Sequence, residues 1–435
     1  STNLLDWEHY PIALAPYEKG WVFSGSAVVD WHNTAGFGAN ALIAIFTLHD
    51  WTNPERTDQF QNQGIAYSLD NGRTWTQYES NPVIEMPSDM GHQEFRDPKV
   101  FWYGTPDNGH WVMILAVNDQ TWLYTSPDLK NWAKASEFGR DYGAHGSVWE
   151  CPDLFQIPIA GGNETRWILL VSVQDGSPAG WNGVQYFVGD FDGHQFTPHE
   201  APEVTRWCDW GPDFYAAVTW ENEPNGRRLL IGWMNNWPYS RTIPATEWRG
   251  MLSLPRELTL AHKEDHLQLL SQPIQELAAR SQPSTVRESV VVTSDQPCSI
   301  ISEIGNHAIM LNIEFDLTGT DTAEQFGVVL TNGETRYGSV VYHTRTHRCE
   351  LTRTEAGESV PEMVQGTPFV TTIRSQNGRL RWQIILDHHS LELFLNDGEQ
   401  VMSQLIFPND LNLGIQLFAQ GGTVNITRLE HAFIA

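Results

Sequence analysis

The chain has 435 residues, enough for one large β-fold or for two domains with separate cores. Acidic residues outnumber basic ones by 53 to 26, and the resulting formal net charge of −27 argues against nucleic acid or an anionic membrane as a partner. The four cysteines form no CxxC pair, which argues against a zinc site. The charge suits a neutral or cationic ligand, and a generally acidic surface that serves solubility explains it more simply.

Residues 24–260 consist mostly of short runs rich in valine, isoleucine and aromatic residues, bounded by turn formers, which is typical of β-strands. A polar turn that ends on an aromatic residue recurs at intervals of about 60 residues. Its copies are SLDNGRTW (68–75), SPDLKNW (126–132) and, more loosely, GDFDGHQF (189–196), and STNLLDW (1–7) resembles them. This period fits a four-stranded propeller blade in which the turn joins the third strand to the outer one.

The repeat sets the phase of the blades. Inner strands are predicted to begin near Ser24, Asp97, Glu150 and Asp213, and second strands to span 41–48, 111–117, 166–173 and 227–234. Residues 1–10 then resemble the outer strand of one more blade, so about 45–50 further residues are expected upstream. The prediction is a five-bladed propeller over 1–260 with an incomplete first blade.

The pattern changes after Leu260. Residues 261–284 are predicted to form a polar linker with one short helix near Pro273–Arg280. From 285 to 435 strand-like runs alternate with turn signals roughly every 8–15 residues, which favours an antiparallel β-sandwich. The triplet Asn-Asp-Gly at 396–398 is a strong hairpin signal. The expected fold class is therefore all-β.

Carboxylates at the mouths of the inner strands would converge on the propeller axis. Those residues are Asp97, Glu150, Asp209 and Asp213. Carboxylates bond sugar hydroxyls, and aromatic rings cover the C–H faces of sugars, so a carbohydrate pocket is expected. Retaining glycosidases use two carboxyl groups about 5–5.5 Å apart. Glu150 suits the acid/base role, because its neighbours Trp149 and Cys151 offer a wall of low polarity that favours the protonated acid.

Structural explanations compete with these roles. Glu150 could instead accept hydrogen bonds from backbone amides at a strand end, and Arg96 and Asp97 could form a purely structural ion pair. Motifs of other chemistries (GxSxG, HExxH, a P-loop, GxGxxG) are absent from the sequence.

Five motifs of the first 260 residues and one near the C-terminus carry a family resemblance. They are FSGSAVVDW (23–31), FRDPKV (95–100), WECPDLF (149–155), DWGPDFYA (209–216), WRGMLSLPREL (248–258) and DHHSLELFLNDGE (387–399). With them the chain resembles glycoside hydrolase family 32, which comprises invertases, levanases, inulinases and related β-fructosidases. The resemblance covers almost the whole chain and implies a five-bladed propeller followed by a β-sandwich.

The resemblance also implies roles for individual residues. Glu150 would be the general acid/base, and Asp97, with Arg96 beside it, would stabilise the transition state by holding fructose hydroxyls. Residues implied to line the fructose pocket or to face the site are Phe23, Ser24, Asp209, Trp233 and Trp237.

One family motif is missing. The family's nucleophile is the aspartate of a WMNDPNG-like motif on the first inner strand, and this sequence contains no such motif. Asn118-Asp119 ends a second strand and lacks the Pro-Gly turn. The nucleophile is therefore expected before residue 1, in an active enzyme of which this sequence is an N-terminally truncated record. A genuine short form is the alternative, and it could not form a glycosyl-enzyme intermediate.

The leading hypothesis is an exo-acting, retaining β-fructosidase that hydrolyses terminal fructose from sucrose or from a fructan such as levan or inulin, without a metal or organic cofactor. An inactive carbohydrate-binding protein and a fructosyltransferase are the alternatives. The expected partner is the sugar substrate, not nucleic acid or a membrane, and an extracellular or periplasmic location is expected. The sequence leaves the oligomeric state and the preferred sugar open.

Overall fold

A computed structural model describes residues 1–50, 60–90, 94–244, 249–333, 335–353, 366–408 and 412–434. The fold is all-β: in these ranges the helical residues are those of α1 (Leu277–Arg280). No helix in them has the length and apolar character that crossing a membrane requires. Residue 248, the first of the motif WRGMLSLPREL, lies outside the described residues.

The described residues up to 273 form four antiparallel sheets, three of four strands and one of five, with the four main strands of each in chain order. The first sheet comprises β1 (Trp21–Asp30), β2 (Ala41–His49), β3 (Gln61–Ser68) and β4 (Thr76–Gln77). The second comprises β5 (Phe95–Thr105), β6 (Asn108–Val117), β7 (Gln120–Ser126) and β8 (Ala133–Phe138). The third comprises β9 (Trp149–Pro158), β10 (Thr165–Val173), β11 (Gly183–Phe191) and β12 (Phe196–Pro198), with the short β13 (Arg206–Trp207) paired to β11. The fourth comprises β14 (Tyr215–Thr219), β15 (Arg228–Trp233), β16 (Arg256–Lys263) and β17 (His266–Pro273).

The first strands of the four sheets lie side by side around a common axis, as in a propeller. Ser26 of β1 accepts a hydrogen bond from the backbone N–H of Val100 in β5, at 3.0 Å. Lys99 of β5 reaches Asp153 of β9 at 3.0 Å, and Asp153 accepts the backbone N–H of Thr219 in β14 at 2.7 Å. Lys99, Asp153 and Thr219 are buried, so their polar groups need partners, and the neighbouring blade supplies them. The predicted phase of the blades is confirmed.

The recurring turn has one geometry in the first two blades. The backbone N–H of Asp70 bonds to the hydroxyl of Ser68 at 3.4 Å, and that of Asp128 bonds to Ser126 at 3.1 Å. Each aspartate then accepts further backbone N–H groups of its turn, which is the local side-chain capping that favours Ser and Asp in turns. In residues 1–7 Asn3 plays the same part.

Two segments differ from the prediction. Residues 1–10, expected to form an outer strand, contain no strand, although their turn is present. Residues 261–273, expected to belong to a linker, complete β16 and form β17, the outer strand of the fourth sheet. The polar stretch HKEDH at 262–266 contains the hairpin turn between them, which is Glu264 and Asp265, with Glu264 at φ 52°. A polar turn between two strands and a polar linker have the same composition, so composition alone did not separate them.

The C-terminal part is a β-sandwich of two six-stranded sheets. One sheet contains β18 (Thr285–Thr293), β29 (Thr423–Ile434), β20 (Ala308–Asp316), β25 (Arg379–Asp387), β26 (Ser390–Leu395) and β27 (Gln400–Leu405), in that spatial order. The other contains β19 (Cys298–Ile301), β28 (Gly414–Gln420), β21 (Gln325–Asn332), β22 (Thr335–His343), β23 (Arg348–Arg353) and β24 (Pro368–Thr372). The predicted hairpin turn at 396–398 joins β26 to β27. Cys298 and Cys349 are both free thiols.

The core of the sandwich follows from strict alternation along its strands. In β20 every second side chain is buried, from Ile309 to Phe315. Phe315 packs against Phe326 of β21 in the other sheet, with ring centres 4.7 Å apart. The apolar face of one sheet thus meets that of the other, as a sandwich requires.

Candidate active site

Each inner strand of the propeller contains a β-bulge near its start. The pairing register breaks at residues 23–24, 97–98, 151–152 and 216–217. In the last three the first bulged residue has a left-handed backbone, with φ of 61° at Asp97, 47° at Cys151 and 50° at Ala216. Bulges of this kind re-aim side chains and are frequent beside active sites. The bulges therefore mark one level of the axis in all four blades.

The residues just before three of the bulges contact one another. Arg96, Glu150 and Tyr215 occupy equivalent register positions in their blades. Nη2 of Arg96 donates to Oε1 of Glu150 at 2.9 Å, and the Tyr215 hydroxyl donates to Oε2 of the same carboxylate. The Glu150 side chain is 13% exposed, so it lies inside the mouth and still reaches solvent.

Asp97 is the second carboxylate of this cluster. Its Oδ2 accepts the backbone N–H of Cys151 at 2.9 Å and lies 3.9 Å from Nε of Arg96. Burial raises the pKa of Asp97, the Arg96 guanidinium opposes that rise, and the charge of Glu150 adds to it. The structure thus brings Asp97, Arg96 and Glu150 together, with the guanidinium contacting both carboxylates.

The neighbouring thiol is inert. Burial raises the pKa of Cys151 well above its ordinary value, and the nearby charge of Asp97 raises it further. Since the thiolate and not the thiol is the nucleophile, Cys151 contributes packing and its backbone N–H rather than covalent chemistry.

Aromatic side chains wall one side of the cluster. The ring centres of Trp233 and Trp237 lie 5.2 Å apart, and each lies 6.4 Å from that of Tyr215. Trp237 is 48% exposed and presents a face to solvent at the mouth. Burial and the charge of Glu150 raise the pKa of Tyr215 well above its ordinary value, so its phenol remains a hydrogen-bond donor to that carboxylate.

Phe23 lies on the opposite side of the cluster. Its ring stacks on His49 at 4.3 Å, and Nδ1 of His49 lies 3.3 Å from Nε2 of Gln61. The same Nε2 donates to Glu94 at 2.9 Å, and Glu94 in turn bonds to Arg96. This polar chain connects the predicted pocket residue to the guanidinium. Ser24 follows Phe23 in the same bulge and is exposed.

Asp209 is not part of this cluster, and the prediction that it faces the site is wrong. It is 4% exposed and pairs with Nη1 of Arg256 at 3.0 Å and with the Ser403 hydroxyl at 2.7 Å. Asp213 likewise accepts the backbone N–H of Leu405 at 2.8 Å. Both carboxylates precede β14 and bond to the β-sandwich, because a buried charge needs an opposite charge or donors and the sandwich supplies them.

Two residues of the cluster were not singled out from the sequence. Tyr215 lies inside the quoted motif DWGPDFYA, and Glu94 directly precedes FRDPKV. The signal that could have identified Tyr215 is its place in the blade repeat, two residues after the predicted strand start at Asp213. A tyrosine aligned with Arg96 and Glu150 is expected at the same level of the axis.

Comparison with known proteins assigns the family. The model described as "Glycosyl hydrolases family 32 N-terminal domain" matches residues 1–273, and "Glycosyl hydrolases family 32 C terminal" matches residues 274–432. A levanase of Bacillus subtilis (strain 168) is 41% identical over 436 residues, which cover 99% of this chain and 62% of the levanase. The extracellular exo-inulinase InuE of Aspergillus niger is 34% identical over 462 residues, covering 99% of this chain and 84% of that protein.

Solved structures agree. The exo-inulinase from Aspergillus awamori has a TM-score of 0.88 at 32% identity and covers 99% of this chain and 88% of that one. The fructofuranosidase from Schwanniomyces occidentalis complexed with fructose also has a TM-score of 0.88, at 28% identity, covering 99% and 87%. The chain spans 62% and 47% of the lengths of two Bacillus levanases that it matches. Over nearly its whole length, the chain belongs to glycosyl hydrolase family 32.

Proposed function

We propose that the chain is the catalytic part of a retaining exo-β-fructosidase that releases terminal fructose from a fructan, levan or inulin, or from sucrose. The observation that carries the proposal is the meeting of Glu150 and Asp97 at one guanidinium in the mouth of the axis. Relatives named levanase and exo-inulinase support the same substrate class. A neutral sugar also suits a chain whose net charge is −27.

Glu150 acts first as acid and then as base. It gives its proton to the glycosidic oxygen as the bond to fructose breaks, and it later takes a proton from the attacking water. Arg96 and Tyr215 each bond one carboxyl oxygen, so the plane of the group is fixed before the sugar arrives. The oxygen that contacts Tyr215 also faces the aromatic wall, and we assign the proton transfer to it.

Asp97 holds the fructosyl unit. Its carboxylate accepts hydrogen bonds from sugar hydroxyls and places negative charge beside the positive charge that develops on the ring in the transition state. Trp237, which is half exposed, offers an aromatic face to the apolar side of the sugar. The fructosyl unit is thus held between the Asp97 carboxylate on one side and the aromatic face of Trp237 on the other.

Retention also requires a carboxylate nucleophile, to which we assign no residue of this sequence, because the motif that carries it in the family is absent. The second candidate function is a protein that binds fructosyl units without turning them over, for which the carboxylates and the exposed Trp237 ring at the mouth suffice. Fructosyl transfer would use the same residues with a sugar in place of water. The exo-inulinase relative is named as extracellular, and we propose the same location here.

The test compares the 435-residue chain with its Glu150→Gln variant on sucrose, levan and inulin. Fructose release that disappears in the variant would support hydrolysis with Glu150 as acid/base and would place a nucleophile within residues 1–435. Release that persists in the variant would refute the role of Glu150. Calorimetry measures the affinity of both proteins for fructose, so that loss of turnover can be told from loss of binding.

A second assay does not depend on the nucleophile. Azide attacks the anomeric carbon directly, the glycosidic bond breaks, and Glu150 supplies the proton to the leaving oxygen. We expect azide-dependent formation of a fructosyl azide of inverted configuration, and at least a tenfold slower reaction in Glu150→Gln, since proton transfer contributes about 10²–10⁴ in rate. Fructose binding without release and without azide product would support the binding protein instead.

A further inference from the structure

A second pocket opens at the opposite end of the propeller axis from Glu150. Its volume is about 220 Å³, and all four described blades line it. We call it the distal pocket; its principal lining residues are Trp31, Trp102, Trp167, Gln156, Asn222 and Arg228. Aromatic rings line it from the first three of these blades, and polar side chains from the third and the fourth.

The distal pocket is separate from the site of Glu150 and Asp97. It contacts the inner strands three to four residues beyond the bulges, at Phe101 of β5 and at Phe155 of β9. At about 3.3 Å per residue, this places it roughly 10–13 Å farther along the axis. The buried ion pair of Lys99 and Asp153 lies between the two levels. A sugar in one site therefore does not touch residues of the other.

Trp31 is held in place although it is 55% exposed. It follows Asp30, whose buried carboxylate accepts the backbone N–H groups of Thr34 and Ala35, each at 2.8 Å. The indole N–H of Trp111 bonds to the Thr34 hydroxyl at 2.8 Å. The turn that carries Trp31 is thus fixed at two points, so its backbone has little conformational freedom to lose on binding.

The other walls are also fixed. The indole N–H of Trp102 bonds to the carbonyl of Thr105 at 3.1 Å. The Arg228 guanidinium lies 4.7 Å from the centre of the Phe155 ring and donates to Glu221 at 2.5 Å. Because Arg228 and Glu221 neutralise each other, the pocket suits an uncharged ligand that exchanges hydrogen bonds with a polar rim.

We propose that the distal pocket is a non-catalytic binding site for one neutral sugar unit of the polymeric substrate. Rings that cover C–H faces beside polar rim groups are the features that recognise carbohydrate, and Trp31, Gln156 and Asn222 supply both at the surface. Its volume lies below the roughly 300–1,000 Å³ of pockets for drug-sized ligands, which limits the occupant to about one ring. That the sugar belongs to a fructan rests on the proposed function.

Affinity electrophoresis in gels that contain levan or inulin tests the site, with every protein in the Glu150→Gln background so that the polymer stays intact. We expect Trp31→Ala to weaken retardation about tenfold in apparent affinity, and Trp31→Phe, which keeps an aromatic face, to retain most of it. Trp7→Ala is the matched control, since Trp7 is 52% exposed and lies outside the pocket. Circular dichroism checks that each variant is folded.

Unchanged retardation of folded Trp31→Ala, or equal loss in Trp7→Ala, would overturn the proposal. So would a fall of fructose binding in Trp31→Ala, measured by calorimetry, because it would show that Trp31 acts on the catalytic site. Gels with soluble starch or a β-glucan distinguish a failure of the distal sugar site from a failure of the proposed fructan substrate. Retardation there that depends on Trp31, with none in levan or inulin, would support a sugar site and overturn its assignment to fructan.

Discussion

At the scale of single residues, Arg96, Glu150 and Tyr215 meet at the mouth of the axis because each occupies the same position of a different blade. All three directly precede a bulge, and Arg96 and Tyr215 both donate hydrogen bonds to Glu150. Neighbouring inner strands place equivalent positions side by side, so three residues distant in sequence meet without any loop between them. The site is therefore as rigid as the sheets that carry it.

The Tyr215 hydroxyl is expected to contribute measurably to kcat. Tyr215→Phe removes the hydrogen bond to Glu150 and leaves the ring packed against Trp233 and Trp237. A hydrogen bond to a charged group contributes about 1.5–3 kcal/mol, so we expect kcat to fall about 10- to 100-fold with little change in stability. Steady-state kinetics in whichever of the two assays the parent chain is active provides the measurement, and an unchanged kcat would contradict the role.

Asp97 gives a prediction about pH. Burial raises its pKa above the ordinary value of 3.8, so acidification protonates it earlier than a free carboxylate. Because the charged form is the stronger acceptor for sugar hydroxyls, fructose affinity should fall as pH drops through the raised pKa. In Asp97→Asn the affinity should be at least about tenfold weaker and lose this pH dependence.

Calorimetry with fructose between pH 7 and pH 4 measures the effect of Asp97. Asp119→Asn is the matched control, since its carboxylate is 56% exposed and lies outside the cluster. A pH dependence of fructose binding that survives in Asp97→Asn would assign it to another group.

The sequence identified the two carboxylates that meet, Asp97 and Glu150, because each lies at the mouth of a predicted inner strand. The same reasoning misplaced Asp209, which also precedes an inner strand. What separates them is the partner: Arg256, 47 positions further on, turns Asp209 toward the sandwich. The sequence alone shows which acidic residues lie near a predicted strand. It does not show which buried basic side chain each carboxylate pairs with in the folded protein.

At the scale of elements, the inner strands depend on close approach of their neighbours. A Cβ at Gly25 of β1 would lie 1.9 Å from the carbonyl oxygen of Ile45 in β2, where only backbone surrounds it. The bulge at residues 23–24 draws the two strands together at this point. Glycine is therefore required here by space rather than by its backbone angles.

Gly25→Ala should consequently destabilise the chain by about 3 kcal/mol or more, since the backbone must move to admit the methyl group. Gly162→Ala is the matched control, because the nearest atom to its Cβ would be 3.9 Å away and the effect should stay within about 0.5 kcal/mol. Urea unfolding followed by tryptophan fluorescence compares the two. Equal losses in both variants would refute the steric argument.

The strands themselves were largely predictable, because their apolar runs are bounded by turn formers and the turns repeat. The starts of the inner strands and the spans of the second strands match the structure to within a few residues. The hairpin of β16 and β17 was missed because the polar stretch HKEDH around its turn has the composition of a linker. Its strands pair with each other along their full length, a contact that local composition does not encode.

At the scale of the whole molecule, buried charges join the propeller to the sandwich. Arg256 is fully buried and bonds to Asp209 of the propeller and, at 2.6 Å, to Glu392 of β26. Its guanidinium also lies 4.1 Å from the centre of the Phe214 ring, directly before Tyr215. The docking of the sandwich is therefore connected to the segment that carries a residue of the active site.

Replacing Arg256 tests how strongly these charges join the two parts. Arg256→Met leaves two buried carboxylates without a cation, which should cost about 3–5 kcal/mol in the free energy of unfolding. The triple variant with Asp209→Asn and Glu392→Gln removes the uncompensated charge and should recover most of that loss. Denaturant unfolding at pH 7 measures both, and a triple variant no more stable than Arg256→Met would show that packing of the guanidinium dominates.

The pH dependence of the stability of Arg256→Met provides a second test of whether the loss comes from charge or from packing. Burial raises the pKa of Glu392 above the ordinary value of 4.5, and Arg256 is the largest influence that opposes this rise, so its removal raises the pKa further. A carboxyl whose pKa is higher in the folded than in the unfolded state favours folding at low pH and loses that contribution as pH rises through the folded value. Arg256→Met should therefore recover stability relative to the parent chain as pH falls from 7 toward 5, whereas a pure packing defect would be equally large at both.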